Sequence, residues 1–314
     1  MPRVGIAMQL VTLSVLVVAC GGANEPPAAE ARQAPVVVFA AFEDDEELRE
    51  LMASYTDESG VRVIIRHGAA ADIVNDLIEN KISPAADVLM TRSVVDVWQA
   101  AEEGALRAIV SDAIIDRSPA WSRDPDNLWT STNVRTAVIA YDAAAVDFQS
   151  DLDYASLAEQ RFEGELCLSS SQNRVNQLVM AMMIEELGVR DAQTIVRGWM
   201  KNLANPYLRT DREVLVAIQT SLCKIGLVWS TASISGLSEL EKHAPAAAFA
   251  DVDGIGIGRH AHNPDGALAL LDWITARSSV TNPGEARAVS EKNVGLFAWH
   301  QNDAILLAER VEYD

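Results

Sequence analysis

The chain has 314 residues, 49% of them hydrophobic and 22% charged, which is enough for two domains and too apolar for a disordered polymer. Its formal charge of −20 excludes a nucleic-acid partner, because phosphate neutralisation needs clustered Lys and Arg. The same charge rules out adhesion to an anionic membrane by electrostatics alone.

Arg3 precedes an apolar run from Val4 to Ala19 that is short for a membrane span. A basic start, a short apolar core and small residues before the break read as a secretory leader. The end of the run, Val17-Val18-Ala19-Cys20, resembles a bacterial lipobox. That implies a signal peptide over 1–20 and a lipid on Cys20, which anchors the chain to a bacterial membrane facing the periplasm or cell surface; an ordinary signal peptide with an incidental Cys is the alternative. The following stretch, 21–35, is rich in Ala, Pro and Glu and reads as a flexible tether. Export places Cys167 and Cys223 in an oxidising compartment, where a pair suggests one disulfide. Two buried free thiols are the alternative, and a zinc site needs more ligands than this pair offers.

Val36 to Ala40 is a continuous apolar run, as in a strand buried on both faces. An acidic turn over Glu43 to Glu47 leads into a helix with Leu48, Leu51, Met52 and Tyr55 on one face, stopped by Gly60. A strand over Val61–Arg66, a helix over Ala71–Asn80, a strand over Asp87–Met90 and a helix over Val94–Glu103 follow. This alternation predicts a mostly parallel sheet with helices on both faces. Trp121 to Asn133 breaks the rhythm with Pro125, Asp126 and Asn127 and reads as a turn-rich connection. A second block then carries strands over Thr136–Tyr141 and Ile225–Trp229 and helices over Asp191–Leu203 and Asp211–Ser221. Helices over Asp265–Ala276, Gly284–Glu291 and Gln301–Val311 close the chain.

Within the second block, Leu166 to Gln177 begins as a short strand, breaks at Ser169, Ser170 and Ser171, and becomes a helix through Val179, Met183 and Leu187. A strand that ends in hydroxyl residues and opens a helix offers free backbone N–H groups and the positive end of the macrodipole to an anion. Helix capping by the serines is the simpler alternative. Gly254 to Gly258 alternates glycine with isoleucine, but no third glycine or helix start follows, so it is not a dinucleotide loop. It reads as a strand or bend where backbones approach closely. There is no P-loop, H-E-x-x-H or G-x-S-x-G, the five histidines are scattered, and no catalytic set stands out.

Taken together, several stretches resemble the iron(III)-binding branch of the solute-binding proteins of bacterial ABC importers. They are Pro84 to Thr91, Trp98 to Leu106, Arg135 to Tyr141, Cys167 to Gln177 with Asp211-Arg212 and Cys223, and Gly254 to Asn263. The resemblance implies a two-lobe α/β type II periplasmic-binding-protein fold with the ligand in a cleft between the lobes. It implies one lobe from 36–132 and 254–275, the other from 133–253 and 276–314, and a pairing of Cys167 with Cys223. It also implies a monomer that delivers a small-molecule ligand to an ABC permease, with no enzymatic activity and no cofactor.

The family's pattern is not kept throughout. Thr231 and Ala232 stand where the family has its adjacent iron-binding tyrosines, and Val175 where members with the cysteine pair often have another. Glu43 replaces a histidine-type ligand and Arg92 a glutamate. Ferric iron needs anionic oxygen donors, so these departures point to a small organic anion of phosphate, phosphonate or carboxylate type. Arg92, Arg135, Ser170, Ser171 and Asn176 would hold the anion. Glu43 or Asp44 would take a polar or cationic end, or Glu43 would pair with Arg92. Trp229 and Thr231 would line the wall. Iron(III) or an iron chelate on atypical ligands, and a sensor or docking lipoprotein that imports nothing, are the competing readings.

Overall fold

β1 (Val36–Ala41) is buried along its whole length because it has a core on each side. Val37, Phe39 and Ala41 face one cluster of buried side chains, and Val36, Val38 and Ala40 face another. Alternate side chains of a strand point to opposite faces, so an unbroken apolar run suits this position. The computed structural model describes residues 1–2, 33–80, 85–146, 152–204, 207–234, 240–246, 248–278, 280 and 292–313. The leader, Cys20, most of the tether and the helix expected over Gly284–Glu291 lie outside them.

β1 pairs in parallel with β2 (Val63–His67) and later with β3 (Val88–Thr91). Between them run α1 (Glu46–Ser59) and α2 (Ala70–Glu79). Asp45 caps α1 by accepting the Leu48 N–H at 2.6 Å, two glutamates occupy its first turn, and Gly60 ends it at φ 73°. α3 (Val94–Glu102), β4 (Leu106–Arg107) and α4 (Asp112–Arg117) complete this part, with Ser93 capping α3.

The next strand, β5 (Trp129–Tyr141), is longer than the sequence suggests. It begins seven residues before the expected Thr136 and absorbs the end of the turn-rich connection. Its first half pairs antiparallel with β9 (Ala250–Gly258) and its second half with β7 (Ile225–Trp229). Between those strands in sequence lie β6 (Leu166–Cys167), α5 (Arg174–Leu187), α6 (Val189–Asn202), α7 (Asp211–Gln219) and β8 (Glu241–His243). α8 (Pro264–Thr275) and α9 (Gly295–Arg310) follow β9.

The strand order β2-β1-β3-β9-β5-β7-β6 is mixed, not mostly parallel: β3, β5 and β7 each meet an antiparallel neighbour. The register of β5 against β9 slips between Ser131 and Asn133, so Thr132 is the extra residue of a bulge. The Ser278 hydroxyl donates to the Thr132 carbonyl at 2.6 Å and holds the bulge in place. The glycine-interrupted run is the body of β9. A Cβ at Gly254 would lie 2.4 Å from Val97 Cγ1, and one at Gly258 2.3 Å from the Ala86 oxygen, so only glycine admits these approaches.

Cys167, ending β6, and Cys223, just before β7, are joined by a disulfide with their Cα atoms 5.9 Å apart. The two strands are parallel neighbours, so the bridge ties the end of β6 to the segment entering β7. It closes a separation of 56 residues, for which chain entropy predicts a stabilisation of about 4 kcal/mol. Thiol titration of the denatured, unreduced protein should find neither cysteine reactive, and reduction should lower the unfolding free energy by about that amount. Two free thiols beyond Cys20 would overturn the assignment.

Candidate functional site

The carboxyl ends of β1 and β3, the bulge of β5 and the middle of β9 meet around one carboxylate, Asp253. Arg92, just after β3, donates from Nη1 to Asp253 Oδ2 at 3.0 Å and from Nη2 to Asp45, the cap of α1. Arg135 donates to Asp253 Oδ1 at 3.3 Å and to Asp251 at 3.1 Å. Asn133, re-aimed by the bulge, adds a longer contact of 3.4 Å to Asp253. Asp251 and Asp253 are two residues apart on a strand, and this period carries both carboxylates to the same side of β9.

Two guanidinium charges stand here among three carboxylates, leaving a formal charge of −1. Each guanidinium also lies over an aromatic ring, Arg92 over Phe42 at 4.5 Å and Arg135 over Trp229 at 4.8 Å. Each arginine has five N–H donors, and the aspartates take two from each. Arg92 is 39% exposed and Arg135 18%, so the open donors are mainly those of Arg92. Burial raises the Asp251 carboxyl above its ordinary range, with Arg135 and the Val94 and Val252 N–H groups opposing. Burial also acts upward on Asp45, but the Leu48 N–H and Arg92 outweigh it and hold that carboxyl below its usual value.

A second set of contacts supports the far wall. Asp211 accepts the Trp229 N–H and the Asn173 amide, each at 2.8 Å. It thereby joins the end of β7 to the residue that caps α5. From the first turn of α5, Arg174 reaches Asp96 in the first turn of α3 at 3.0 Å. Asp96 is buried on α3, and that burial raises its carboxyl, with Arg174 pulling it back down.

The structure separates the residues singled out in the sequence. It brings together Arg92, Arg135 and Trp229. The pairing considered between Glu43 and Arg92 is corrected: Arg92 takes Asp45 and Asp253, Glu43 is exposed, and Asp44 pairs with Arg49 and His67. At the serine turn, the Ser170 N–H is used by the Leu208 carbonyl at 2.7 Å, and Asn173 caps α5. Ser171 lines a different cavity of about 840 Å³ beside α9, with Gln172, Arg174 and Gln301. Asn176 is fully buried, and its amide donates to the Ser169 and Ser170 carbonyls, which brace the turn from inside. Thr231 is exposed in the turn after β7.

Sequence reasoning missed Asp45, Asp251, Asp253 and Asp211. The alternation Asp251-Val252-Asp253 was the available signal, and the neighbouring glycines drew attention from it. All five tyrosines are accounted for, and none lines the cavity beside Arg92. Tyr55, Tyr141 and Tyr154 are core residues, Tyr207 bonds the Glu312 carbonyl, and Tyr313 bonds the Ser169 carbonyl.

The raised Asp96 carboxyl has a consequence for stability. A carboxyl whose folded-state pKa exceeds its unfolded value, about 3.9, loses stability as pH rises from that value through the folded one. Asn mimics the neutral acid, so the Tm of Asp96→Asn should climb relative to the unsubstituted protein between pH 4 and 7. A Tm difference that stays constant over this range would contradict the assignment.

No protein-family model matches the chain. The iron uptake protein A1 of Synechocystis sp. is 24% identical over 330 aligned positions, covering 97% of this chain and 91% of that protein. The Fe(3+)-binding periplasmic protein of Serratia marcescens is 22% identical, covering 71% of this chain and 68% of its own length. Among solved structures, Trichodesmium FutA in complex with iron and citrate superposes with a TM-score of 0.79 at 24% identity, covering 90% of this chain and all of that one. The fold is therefore the mixed α/β fold of the type II periplasmic-binding proteins.

Proposed function

We propose that the protein is the extracytoplasmic solute-binding component of an ABC importer and that it carries iron(III) as an anionic organic chelate. The observation behind this reading is the mixed-sign cluster around Asp253. Bare ferric iron is a hard trivalent cation. No tyrosine lines the cavity at the cluster, and among the described residues no group of three or more His, Cys, Asp or Glu is arranged to hold a metal. Arg92 and Arg135 would repel it at short range.

A simple anion is also poorly matched, because three carboxylates already surround the two arginines. A chelate offers both signs: carboxylate oxygens for the open guanidinium N–H groups, and hydroxyl groups for the aspartates. Its organic part would supply the oxygen donors that Val175, Thr231 and Ala232 do not offer at the positions the resemblance assigns to tyrosines. The names of the relatives, iron uptake and ferric binding, support the cargo. A metal-free organic anion is the second reading, favoured by the open donors of Arg92.

In this reading, 36–132 with 254–275 form one lobe and 133–253 with 276–314 the other. They hinge on β5 and β9. A lipid on Cys20 tethers the monomer near its permease.

Calorimetry with iron(III)–citrate tests the proposal. Binding near micromolar Kd, about −8 kcal/mol, is expected, without the colour of a phenolate–iron complex. Arg92→Ala should weaken it by one to two decades, as loss of a charge-assisted hydrogen bond worth about 1.5–3 kcal/mol requires. Tight binding of uncomplexed ferric ion, unchanged in Arg92→Ala, would falsify the proposal.

A further inference from the structure

Beside Arg92 lies a cavity of about 270 Å³ whose composition asks for more than a polar chelate. One wall is apolar: Phe42, Leu51, Met90 and Ile274. The cavity is also lined by Arg92, whose guanidinium lies over the Phe42 ring at 4.5 Å, by Asp253 and Asn133 of the cluster, and by Glu47. The volume sits just below the usual range for small-molecule sites, which suits one ring or a short alkyl chain. Citrate-type ligands have no apolar surface to place against such a wall, and leaving it wet forgoes the gain from burial. Arg277, which lies over Trp273 at 3.9 Å and donates to Glu58 at 2.8 Å, lines the same cavity, and Arg92 is the guanidinium there that belongs to the Asp253 cluster.

We infer that this cavity is an apolar subsite and that the preferred ligand class is an aromatic hydroxy-carboxylate, free or as its iron(III) chelate. The ring packs on Phe42, Leu51, Met90 and Ile274. The carboxylate ends at the open N–H groups of Arg92. In the free ligand the ring hydroxyl lies toward Asn133 and Asp253. In the chelate the deprotonated ring oxygen and one carboxylate oxygen, a bidentate pair of hard donors, bind iron(III), and the other carboxylate oxygen is left for Arg92. This inference rests on the proposed chelate cargo and specifies its organic part.

The subsite is tested by calorimetry with salicylate and citrate as their iron(III) complexes. The unsubstituted protein should bind the salicylate complex at least tenfold more tightly than the citrate complex. Leu51→Trp, which fills the cavity from α1, should abolish that preference. Leu51→Ala, a variant that only removes volume, should shift the preference from salicylate toward the larger hydroxynaphthoate. Equal affinities for the two complexes in the unsubstituted protein, or a preference untouched in both variants, would overturn the subsite. If both complexes bind equally and Arg92→Ala weakens both, the subsite falls and the chelate reading stands. If neither complex binds, both fall.

Discussion

The Asp253 carboxylate, shared between Arg92 and Arg135, is the contact on which the candidate site depends. It is nearly buried, and a buried carboxylate is tolerated only with cations and donors around it. The two arginines supply that, and the carboxylate in turn fixes where their remaining N–H groups point. Neither arginine would be held in this position by its own segment. Arg92 follows a four-residue strand and Arg135 sits just past a bulge. The carboxylate is thus both a stabilising partner and a spacer that sets the geometry of the cleft.

This shared pairing rests on backbone features that have little to do with charge. Gly254 lets α3 press against β9, and the Asp251 carboxylate then accepts the Val94 N–H at the start of α3 at 2.8 Å. The Thr132 bulge turns Asn133 toward Asp253, and Ser278 keeps the bulge from relaxing. On the other wall, Asp211 holds both the end of β7 and the cap of α5, so Trp229 is set under Arg135 by a residue from α7. The disulfide ties β6 to the segment entering β7 on the same side. Close backbone packing comes first in this arrangement, and the ion pairs occupy the positions it creates.

The likeness to iron-uptake proteins and the absence of tyrosine from the cavity fit together if the ligand brings its own oxygen donors. A protein that coordinates a bare metal ion must supply anionic donors and keep cations away. The cavity beside Arg92 instead presents both signs next to apolar side chains, which is compatible with the proposed organic ligand. The two sides of the site would then divide the ligand between them, the head on the arginine–aspartate cluster and the body on the side chains of α1, β3 and α8.

Much of the fold could be read in the sequence because its signals are local. The apolar run at Val36–Ala41 announces a strand with two covered faces, Gly60 marks the end of α1, and the glycines of β9 mark close backbone approach. Trp121–Asn133 misled for the same reason: its turn residues are real, but the strand that follows starts at Trp129, where pairing with β9 outweighs weak local propensity. The site was legible only in part. Arg92, Arg135 and Trp229, singled out by type and order, meet in one cluster, whereas Ser170 and Asn176 bond within the turn before α5 and Ser171 lines another cavity. What the sequence alone determined is which segments form strands and helices and which residues carry charge. Only the tertiary structure decided which charges meet, because Arg92 and Asp253 lie 161 residues apart. No local period or spacing can specify a partner that is chosen by how β3, β5 and β9 come together.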